Sequence, residues 1–279
     1  MVKKLQPGSN LDKTLDYVRD LESGSHGIVF YKDPLEKHEV LFNFLQTGIQ
    51  KGEGAVYVSS QETSKQIRRH MEDFGFNVGS LERDGVLGIY DCDGWYVVNG
   101  EVDVSHAMLK GYSVLENAME IGLKGLRSCG ETACFFEHEE EKELVEYELT
   151  IVRKLDIPAT ALCAYDVNQA KSLEEKLFFS LINAHGPVIT SRFAQDVAFE
   201  NLFFPIMEDV LENVFGKIGR EVILITLDKY HSLTPGERER WIAEDPMSFV
   251  EGLEELVGSG AVPITKSVAR EILWKMGIT

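Results

Sequence analysis

The feature that most constrains the fold is a regular alternation of short apolar runs with segments of helical periodicity between residues 27 and 190. Apolar runs predict strands at 27–31, 54–59, 85–90, 125–129 and 158–165, with a short sixth at 187–190. Helical spacing predicts helices at 34–50, 62–74, 104–121, 137–155 and 172–184. This order is typical of an α/β fold, because parallel strands need helical crossovers between them. The second to fifth strands are almost continuously apolar, which predicts a three-layer, mainly parallel sheet covered on both faces.

The alternation has a helical segment on either side. Leu11, Leu15, Val18 and Leu21 recur at helical spacing and predict a lead-in helix over 9–23. Beyond about residue 193 only helical patterns follow, with helix ends at Gly216 and Gly258. A chain of 279 residues has room for two domains. We therefore predict a lead-in helix at 1–24, an α/β domain at 25–193 and an all-α domain at 194–279.

Charge argues against several classes of partner. The formal net charge is −18, and residues 196–279 alone hold 8 basic and 15 acidic residues. A nucleic acid or an anionic membrane surface would repel such a chain. The first residues contain no apolar stretch of the kind a signal peptide needs, and four cysteines make no secreted disulfide framework. We expect a cytoplasmic protein without a membrane segment.

The turn after the first predicted strand argues against nucleotide chemistry. It reads Tyr31-Lys-Asp-Pro-Leu-Glu-Lys37, without the glycines whose backbone N–H groups cradle phosphates. No G-x-G-x-x-G motif follows any predicted strand, and no arrangement of a serine–histidine–aspartate enzyme is visible. We predict no catalytic residues and no cofactor. A thiol-dependent or degenerate nucleotide enzyme is the alternative.

The predicted carboxyl ends of the strands hold the candidate ligand-binding residues. Ligands of open parallel sheets bind at that edge, and three of the four cysteines fall near it. A small-molecule pocket walled by thiols and aromatic rings is the functional interpretation, and ordinary burial of small cysteines is the alternative. The candidate residues are Tyr31, Ser59, Asp91, Cys92, Arg127, Cys129, Glu131, Cys163 and Tyr165.

Metal and redox sites are weaker hypotheses from the sequence. Cys129 and Cys134 have the spacing of half a zinc motif but no second pair, and no basic cluster lowers a thiol pKa. We therefore predict no metal ligands. His26 precedes the first strand, so we expect it at the opposite edge of the sheet, far from the pocket, in a structural role.

Several segments in order resemble the MEDS domain, the methanogen/methylotroph DcmR-type sensory domain of prokaryotic signalling proteins. The resemblance covers 25–190 and is carried by His26-Gly-Ile-Val-Phe-Tyr31, by 42–53, by Gly122-Leu-Lys-Gly-Leu-Arg127 with Gly130-Glu131, by 162–166 and by 185–189. It implies a RecA/KaiC-type sheet without a phosphate loop that senses a small ligand, proposed to be a simple hydrocarbon derivative. The positions that match the family are His26, Tyr31, Arg127, Glu131, Cys163 and Tyr165.

The last part of the chain resembles a small helical output domain of archaeal sensor proteins, notably those of nitrifying archaea. Residues 245–261 and the final helix carry this likeness. Together the two resemblances imply a non-enzymatic sensor with a small-molecule ligand and a protein partner or a second copy of the chain. A transcriptional regulator that contacts DNA is the second alternative, against which the acidic tail argues.

Overall fold

The computed structural model describes residues 10–151, 155–234 and 236–278. Within these ranges the strands are β1 His26–Tyr31, β2 Gly54–Ser59, β3 Leu87–Asp91, β4 Val97–Val98, β5 Glu101–Val102, β6 Leu126–Glu131, β7 Ala159–Asp166, β8 Pro187–Thr190 and β9 Phe193–Asp196. The helices are α1 Asn10–Arg19, α2 Pro34–Lys51, α3 Ser64–Phe74, α4 Val78–Arg83, α5 Val104–Glu120, α6 Ala133–Glu137, α7 Glu141–Ile151, α8 Val167–Ser172, α9 Glu175–Ala184, α10 Phe199–Tyr230, α11 Arg238–Glu244, α12 Pro246–Val257 and α13 Ala261–Lys275.

The centre of the molecule is a seven-stranded sheet in the order β3-β2-β6-β7-β1-β8-β9. Its pairs are parallel except the edge pair of β8 with β9, which is antiparallel. Helices α1 to α4 cover one face and α5, α7 and α9 cover the other. The predicted three-layer, mainly parallel α/β fold with a helical C-terminal region is confirmed.

Alternation along the strands decides which face each side chain enters. In β1, Ile28 and Phe30 pack on the α5/α7 side, whereas Val29 and Tyr31 pack on the α2 side. Successive side chains of a strand point to opposite faces, so both sets are buried only because helices cover both faces. The same parity separates the candidate site residues described below.

The C-terminal helices pack on α9 of the α/β part. The ring of Phe179 in α9 lies 4.9 Å from that of Phe203 in α10, edge to face, and Phe203 in turn meets Phe249 of α12 at 5.5 Å. Helix α10 breaks at Gly216, whose φ of 72° falls in the left-handed region that glycine adopts without strain. The predicted helix end at Gly216 is thus seen as an interruption, and the domain boundary near residue 193 stays a prediction.

Some elements differ from those predicted. The helix predicted over 137–155 is two, α6 and α7, separated by a turn with Glu139 at a φ of 58°, and residues 152–154 lie outside the described ranges. The helix predicted over 172–184 is α9, which begins at Glu175, and the short helix α8 that precedes it was not predicted. Strand β9, helix α4 and the β4–β5 hairpin were not predicted. None of the described helices combines the length and apolar character needed to cross a membrane.

Candidate functional site

The nine predicted site residues do not line one pocket, because strand parity places them on opposite faces of the sheet. Tyr31 and Cys129 pack among the residues under α2, whereas Cys163 and Tyr165 pack among those under α7. Residues at the strand ends do meet at one edge, as expected, since Ser59 pairs with Asp91 and Tyr31 with Asp166. Cys129 and Cys163 instead lie inside their strands.

Glu131 organises a buried polar cluster at the carboxyl edge on the α2 side. Its Oε1 accepts hydrogen bonds from Lys37 Nζ at 2.7 Å and from Tyr57 OH at 2.5 Å. Its Oε2 accepts the backbone N–H groups of Ser60 and Gln61 at 3.0 and 2.9 Å. Both carboxylate oxygens are therefore engaged by the protein, and Glu131 holds Lys37 and the turn after β2 in place. We call Tyr31, Lys37, Tyr57, Glu62 and Glu131 the carboxyl-edge cluster.

Lys37 is the cation of this cluster, and the sequence analysis missed it together with Tyr57 and Glu62. Its side chain is fully buried, and Nζ also lies 3.2 Å from Glu62 Oε2 and 5.2 Å from the centre of the Tyr31 ring. Tyr31 completes the cluster by donating its hydroxyl to Gln61 at 2.8 Å. Spacing offered a signal, because Lys37 lies on the same helical stripe as the buried Leu41.

Ser59 and Asp91 have structural partners at the same edge. Asp91 accepts the backbone N–H of Ser64 at 2.6 Å and the hydroxyl of the same residue at 3.0 Å, which anchors the start of α3. The hydroxyl of Ser59 lies 3.2 Å from the carbonyl oxygen of Tyr90. These contacts tie β2, β3 and α3 together.

Arg127 was predicted at the ligand edge, and the structure corrects this placement. It is the second residue of β6, is buried, and bonds Glu53 through Nε at 2.7 Å. Its guanidinium also reaches the carbonyl oxygens of Val18 and Phe44 at 3.5 and 3.3 Å. Because these groups belong to α1 and α2, Arg127 fastens both helices to the sheet instead of facing a pocket.

Cys92 was predicted to be a thiol of the ligand pocket, and this too is corrected. The structure joins it to Cys134 in a disulfide, with the two Cα atoms 6.5 Å apart. Of the four cysteines, Cys129 and Cys163 keep free and buried thiols. Burial raises the pKa of both thiols, and Glu131 raises that of Cys129 while Glu148 raises that of Cys163. In the metal-free protein this environment disfavours the thiolate form that a catalytic cysteine uses.

A second buried cluster lies between β1, β7, α7 and the end of α9. It consists of His26, Glu148, Cys163 and His185, whose donor atoms all lie within 4.8 Å of one another. We call it the histidine–cysteine cluster. Glu148 Oε2 lies 3.2 Å from His26 Nε2, 3.4 Å from Cys163 Sγ and 3.6 Å from His185 Nε2. Two imidazoles, a thiol and a carboxylate are donors that can hold a transition metal.

His26 lies at the amino edge of the sheet as predicted, but it is not far from all of the predicted site residues. Its backbone does begin β1, but its Nε2 atom lies 3.4 Å from Cys163 Sγ, and its ring centre lies 4.2 Å from that of His185. Because His26 pairs with Ala161 in the parallel register, Cys163 lies only two residues further along the neighbouring strand. Of the predicted residues, Cys163 and Tyr165 belong at this cluster, since the Tyr165 hydroxyl donates to Glu148 Oε1.

Charges within this cluster favour an ionised carboxylate. Burial by itself raises the pKa of Glu148, but His185 and His26 outweigh it and hold the pKa well below its ordinary value. Burial lowers the pKa of His185, and the neighbouring His26 lowers it further. Glu148 thus stays a carboxylate inside the core because donors surround it.

An apolar cavity of about 370 Å³ adjoins this cluster on the α5/α7 side of the sheet. Asp156 is the charged side chain among its described lining residues, and the remainder are apolar, aromatic, hydroxyl or thiol groups. Cys163 belongs to the cluster and also lines the cavity. The lining includes Trp95, Tyr96, Ala107, Met108, Gly111, Leu115, Ser128, Tyr147, Ile151 and Cys163.

Two residues of the histidine–cysteine cluster, Glu148 and His185, were not selected from the sequence. Glu148 lies on the buried stripe of α7 with Leu144 and Ile151, which was a usable signal. The acidic run at 137–143 masked it, because that run fits a solvated helix start. His185 stands in the family-like segment 185–189, so the resemblance pointed to it without giving it a role.

Comparisons with known proteins match short parts of the chain to curated proteins. A UPF0273 protein of Thermotoga maritima is 40% identical over 49 residues, 18% of this chain and 20% of that protein. The circadian clock protein KaiC3 of Synechocystis is 28% identical over 113 residues, 34% of this chain and 22% of that protein. The chain thus spans about a fifth of the length of these curated relatives.

A solved structure and a family model complete the comparisons. The KaiC-like protein PH0186 of Pyrococcus horikoshii OT3 aligns with a TM-score of 0.44 and 18% identity, covering 61% of this chain and 72% of that one. The model described as MEDS, the methanogen/methylotroph, DcmR sensory domain, matches residues 25–185. That range holds the whole histidine–cysteine cluster and spans more than half of the chain. The chain belongs to the MEDS family of sensory domains.

Proposed function

We propose that this protein is a cytoplasmic, non-enzymatic sensor that binds a small, weakly polar organic molecule in the apolar cavity. The carrying observation is the cavity itself, which lies between the sheet and helices α5 and α7 in a chain of a sensory-domain family. Its volume of about 370 Å³ suits a small molecule. A simple hydrocarbon derivative is the ligand class that matches an apolar wall with few polar groups.

The proposed relay runs from the cavity wall to the C-terminal helices. Tyr147 and Ile151 of α7 line the cavity, and α7 packs against α9. Helix α9 carries Phe179, which meets Phe203 of the C-terminal helices at 4.9 Å. A ligand shifts this chain of contacts only if it binds two arrangements of α7 with different affinity.

Absence of turnover is part of the proposal. Lys37, at the start of the helix that follows β1, is neutralised by Glu131 at 2.7 Å and Glu62 at 3.2 Å. A phosphate group would have to displace these carboxylates, and the free thiols are buried with raised pKa values. These features argue against the degenerate nucleotide enzyme and the thiol-dependent enzyme alike.

For the output we propose a protein, either a second copy of this chain or another chain, in place of nucleic acid. Residues 196–279 carry 15 acidic against 8 basic residues. A DNA-reading helix needs a basic face toward the phosphates. An electrophoretic shift of mixed DNA that disappears with rising salt would contradict this part of the proposal.

The test of the ligand site fills the cavity and measures binding. Gly111 of α5 lines the cavity, and a Cβ placed there comes no closer than 3.9 Å to Trp95, so Gly111→Leu adds its side chain to the cavity space. Ser113→Leu adds the same side chain on the exposed part of the same helix and is the matched control. The probes are benzene, chloroform and 1-butanol, titrated into the full chain and followed by NMR.

We expect at least one probe to shift resonances of cavity residues, since dry apolar cavities of smaller volume already bind benzene. Gly111→Leu should weaken that binding at least tenfold, and Ser113→Leu should leave it unchanged. Failure of all three probes, or binding that Gly111→Leu does not alter, would refute the assignment of the ligand to this cavity.

A further inference from the structure

The histidine–cysteine cluster is built like a metal centre. We propose that His26, Glu148, Cys163 and His185 bind one divalent transition-metal ion, with zinc the best match. All four side chains are buried in the core, and they come from β1, α7, β7 and the end of α9. The inference is independent of the proposed ligand in the apolar cavity.

Four of the six distances between the donor atoms fit the edges of one small coordination tetrahedron, and all six lie within 4.8 Å. Zinc binds nitrogen and oxygen at about 2.0–2.2 Å and sulfur at about 2.3 Å, so neighbouring donors lie about 3.3–3.6 Å apart. Cys163 Sγ lies 3.4 Å from His26 Nε2 and 3.4 Å from Glu148 Oε2. Glu148 Oε2 lies 3.2 Å from His26 Nε2 and 3.6 Å from His185 Nε2.

Outer contacts orient the donors toward a common centre. The Nδ1 atom of His185 donates to the carbonyl oxygen of Leu181 at 2.7 Å, which leaves the Nε2 lone pair directed into the cluster. That Nε2 atom is buried and has no hydrogen-bond partner among the described residues. The Tyr165 hydroxyl occupies Oε1 of Glu148 and leaves Oε2 for the ion. Such outer hydrogen bonds accompany metal ligands in known sites.

The chemistry of the donors decides the class of ion. A thiolate and two neutral imidazoles favour zinc, cobalt, nickel or iron over magnesium and calcium, which prefer oxygen ligands. One thiolate and one carboxylate balance the two charges of a divalent ion, so the loaded site is neutral within the core. Four protein donors close a tetrahedral site, and closed sites are structural in kind.

A bound ion would join parts of the chain that are far apart in sequence. Glu148 would attach α7 to the ion, and the adjacent residue of α7, Tyr147, lines the apolar cavity. His185 would attach the end of α9, on which the C-terminal helices pack. Metal loading therefore fixes the position of the cavity wall relative to the C-terminal helices. The site gives the fold a cross-link that the hydrophobic contacts alone do not supply.

The test is a cobalt(II) titration of the full chain, metal-free and without thiol reductant so that Cys92 and Cys134 stay bonded. We expect one ion per chain, with visible bands of tetrahedral cobalt and a near-ultraviolet band from thiolate to metal. Zinc should displace the cobalt. Cys163→Ser should abolish the thiolate band and weaken binding at least a hundredfold, whereas Cys129→Ser, which alters the other free buried thiol, should change neither.

Two further variants keep the test decisive if Cys163→Ser does not fold. His185→Gln should weaken cobalt binding at least a hundredfold while keeping the thiolate band at saturation. Tyr165→Phe, which removes only the hydrogen bond to Glu148, should weaken binding about 10–100-fold. The proposal is overturned if the wild-type chain takes up no cobalt, if bound cobalt shows no thiolate band, or if that band persists in folded Cys163→Ser. Probe binding to the cavity is measured separately, so either proposal can fail alone.

Discussion

Replacing Lys37 by methionine tests whether the carboxyl-edge cluster is a buried ion pair that the fold depends on. Methionine keeps most of the apolar length of the side chain and removes only the charge and the donors. Glu131 would then remain fully buried without its cation at 2.7 Å. Removing one partner of a buried pair costs about 3–5 kcal/mol, because the other charge stays desolvated.

The contacts that survive set where in this range the cost falls. Glu131 keeps the Tyr57 hydroxyl and the backbone N–H groups of Ser60 and Gln61, so we expect the lower end, about 3 kcal/mol. A domain has about 5–15 kcal/mol of stability in total. For a chain of this length the loss corresponds to a fall of about 5 °C in the unfolding midpoint.

Urea unfolding followed by circular dichroism measures this cost. Lys51→Met is the control, because Lys51 ends the same helix and is exposed. Its ammonium group donates a hydrogen bond to the Arg19 carbonyl oxygen at 2.8 Å, so the substitution should lower the free energy of unfolding by less than about 1 kcal/mol. Adding Glu131→Gln to Lys37→Met should recover part of the loss, since it removes the unpaired charge. A cost for Lys37→Met no larger than for Lys51→Met would refute the reasoning.

Three other predictions concern pH, packing and the disulfide. Burial lowers the pKa of His38, which faces Glu62, Lys37 and His70, so the unfolded chain binds a proton that the folded chain does not; stability should fall below about pH 6.5, and His38→Gln should flatten that fall in urea titrations. Gly48→Ala places a Cβ 2.6 Å from Arg127 Cδ and should cost about 1–3 kcal/mol, whereas Gly79→Ala meets nothing within 4 Å and should not destabilise; equal midpoints would contradict the tight contact. Cys92→Ser removes a disulfide that closes a loop of 42 residues, and it should lower the free energy of unfolding by about 4 kcal/mol relative to the oxidised chain, as measured by calorimetry. Reduction of the wild type should have the same effect, and a wild type whose stability does not change with reductant would contradict the prediction.

The fold was predictable where local signals were strong. Apolar runs predicted the parallel strands, because a strand that helices cover on both faces is apolar along most of its length. Strand β9 was not predicted, because two of its four residues are exposed and it pairs antiparallel at the edge of the sheet. The β4–β5 strands have two residues each, too few to show a period.

The site was predictable only in part, because the position of a residue along its strand does not say which face of the sheet its side chain enters or which side chains it meets there. Cys163 and Tyr165 were selected, but the sequence placed them at the carboxyl edge with residues that in fact occupy the other face of the sheet. His26 was set apart because only its backbone position was considered. To predict the role of Glu148, one would have to know that α7 packs on β7. That packing brings Glu148 to Cys163, 15 residues later in the chain, and a loop separates the two.

The strand order of the sheet has a consequence for folding during synthesis. Strand β1 is made early, yet both of its neighbours, β7 and β8, are encoded more than 120 residues later. At about 5–20 residues per second, translation would leave this largely apolar strand without its partners for roughly 7–30 s. During that interval helices α1 to α7 are made, but neither of the strands that hydrogen-bond to β1 is present. The edges of β1 are therefore open to premature association with other chains until β7 and β8 have been synthesised.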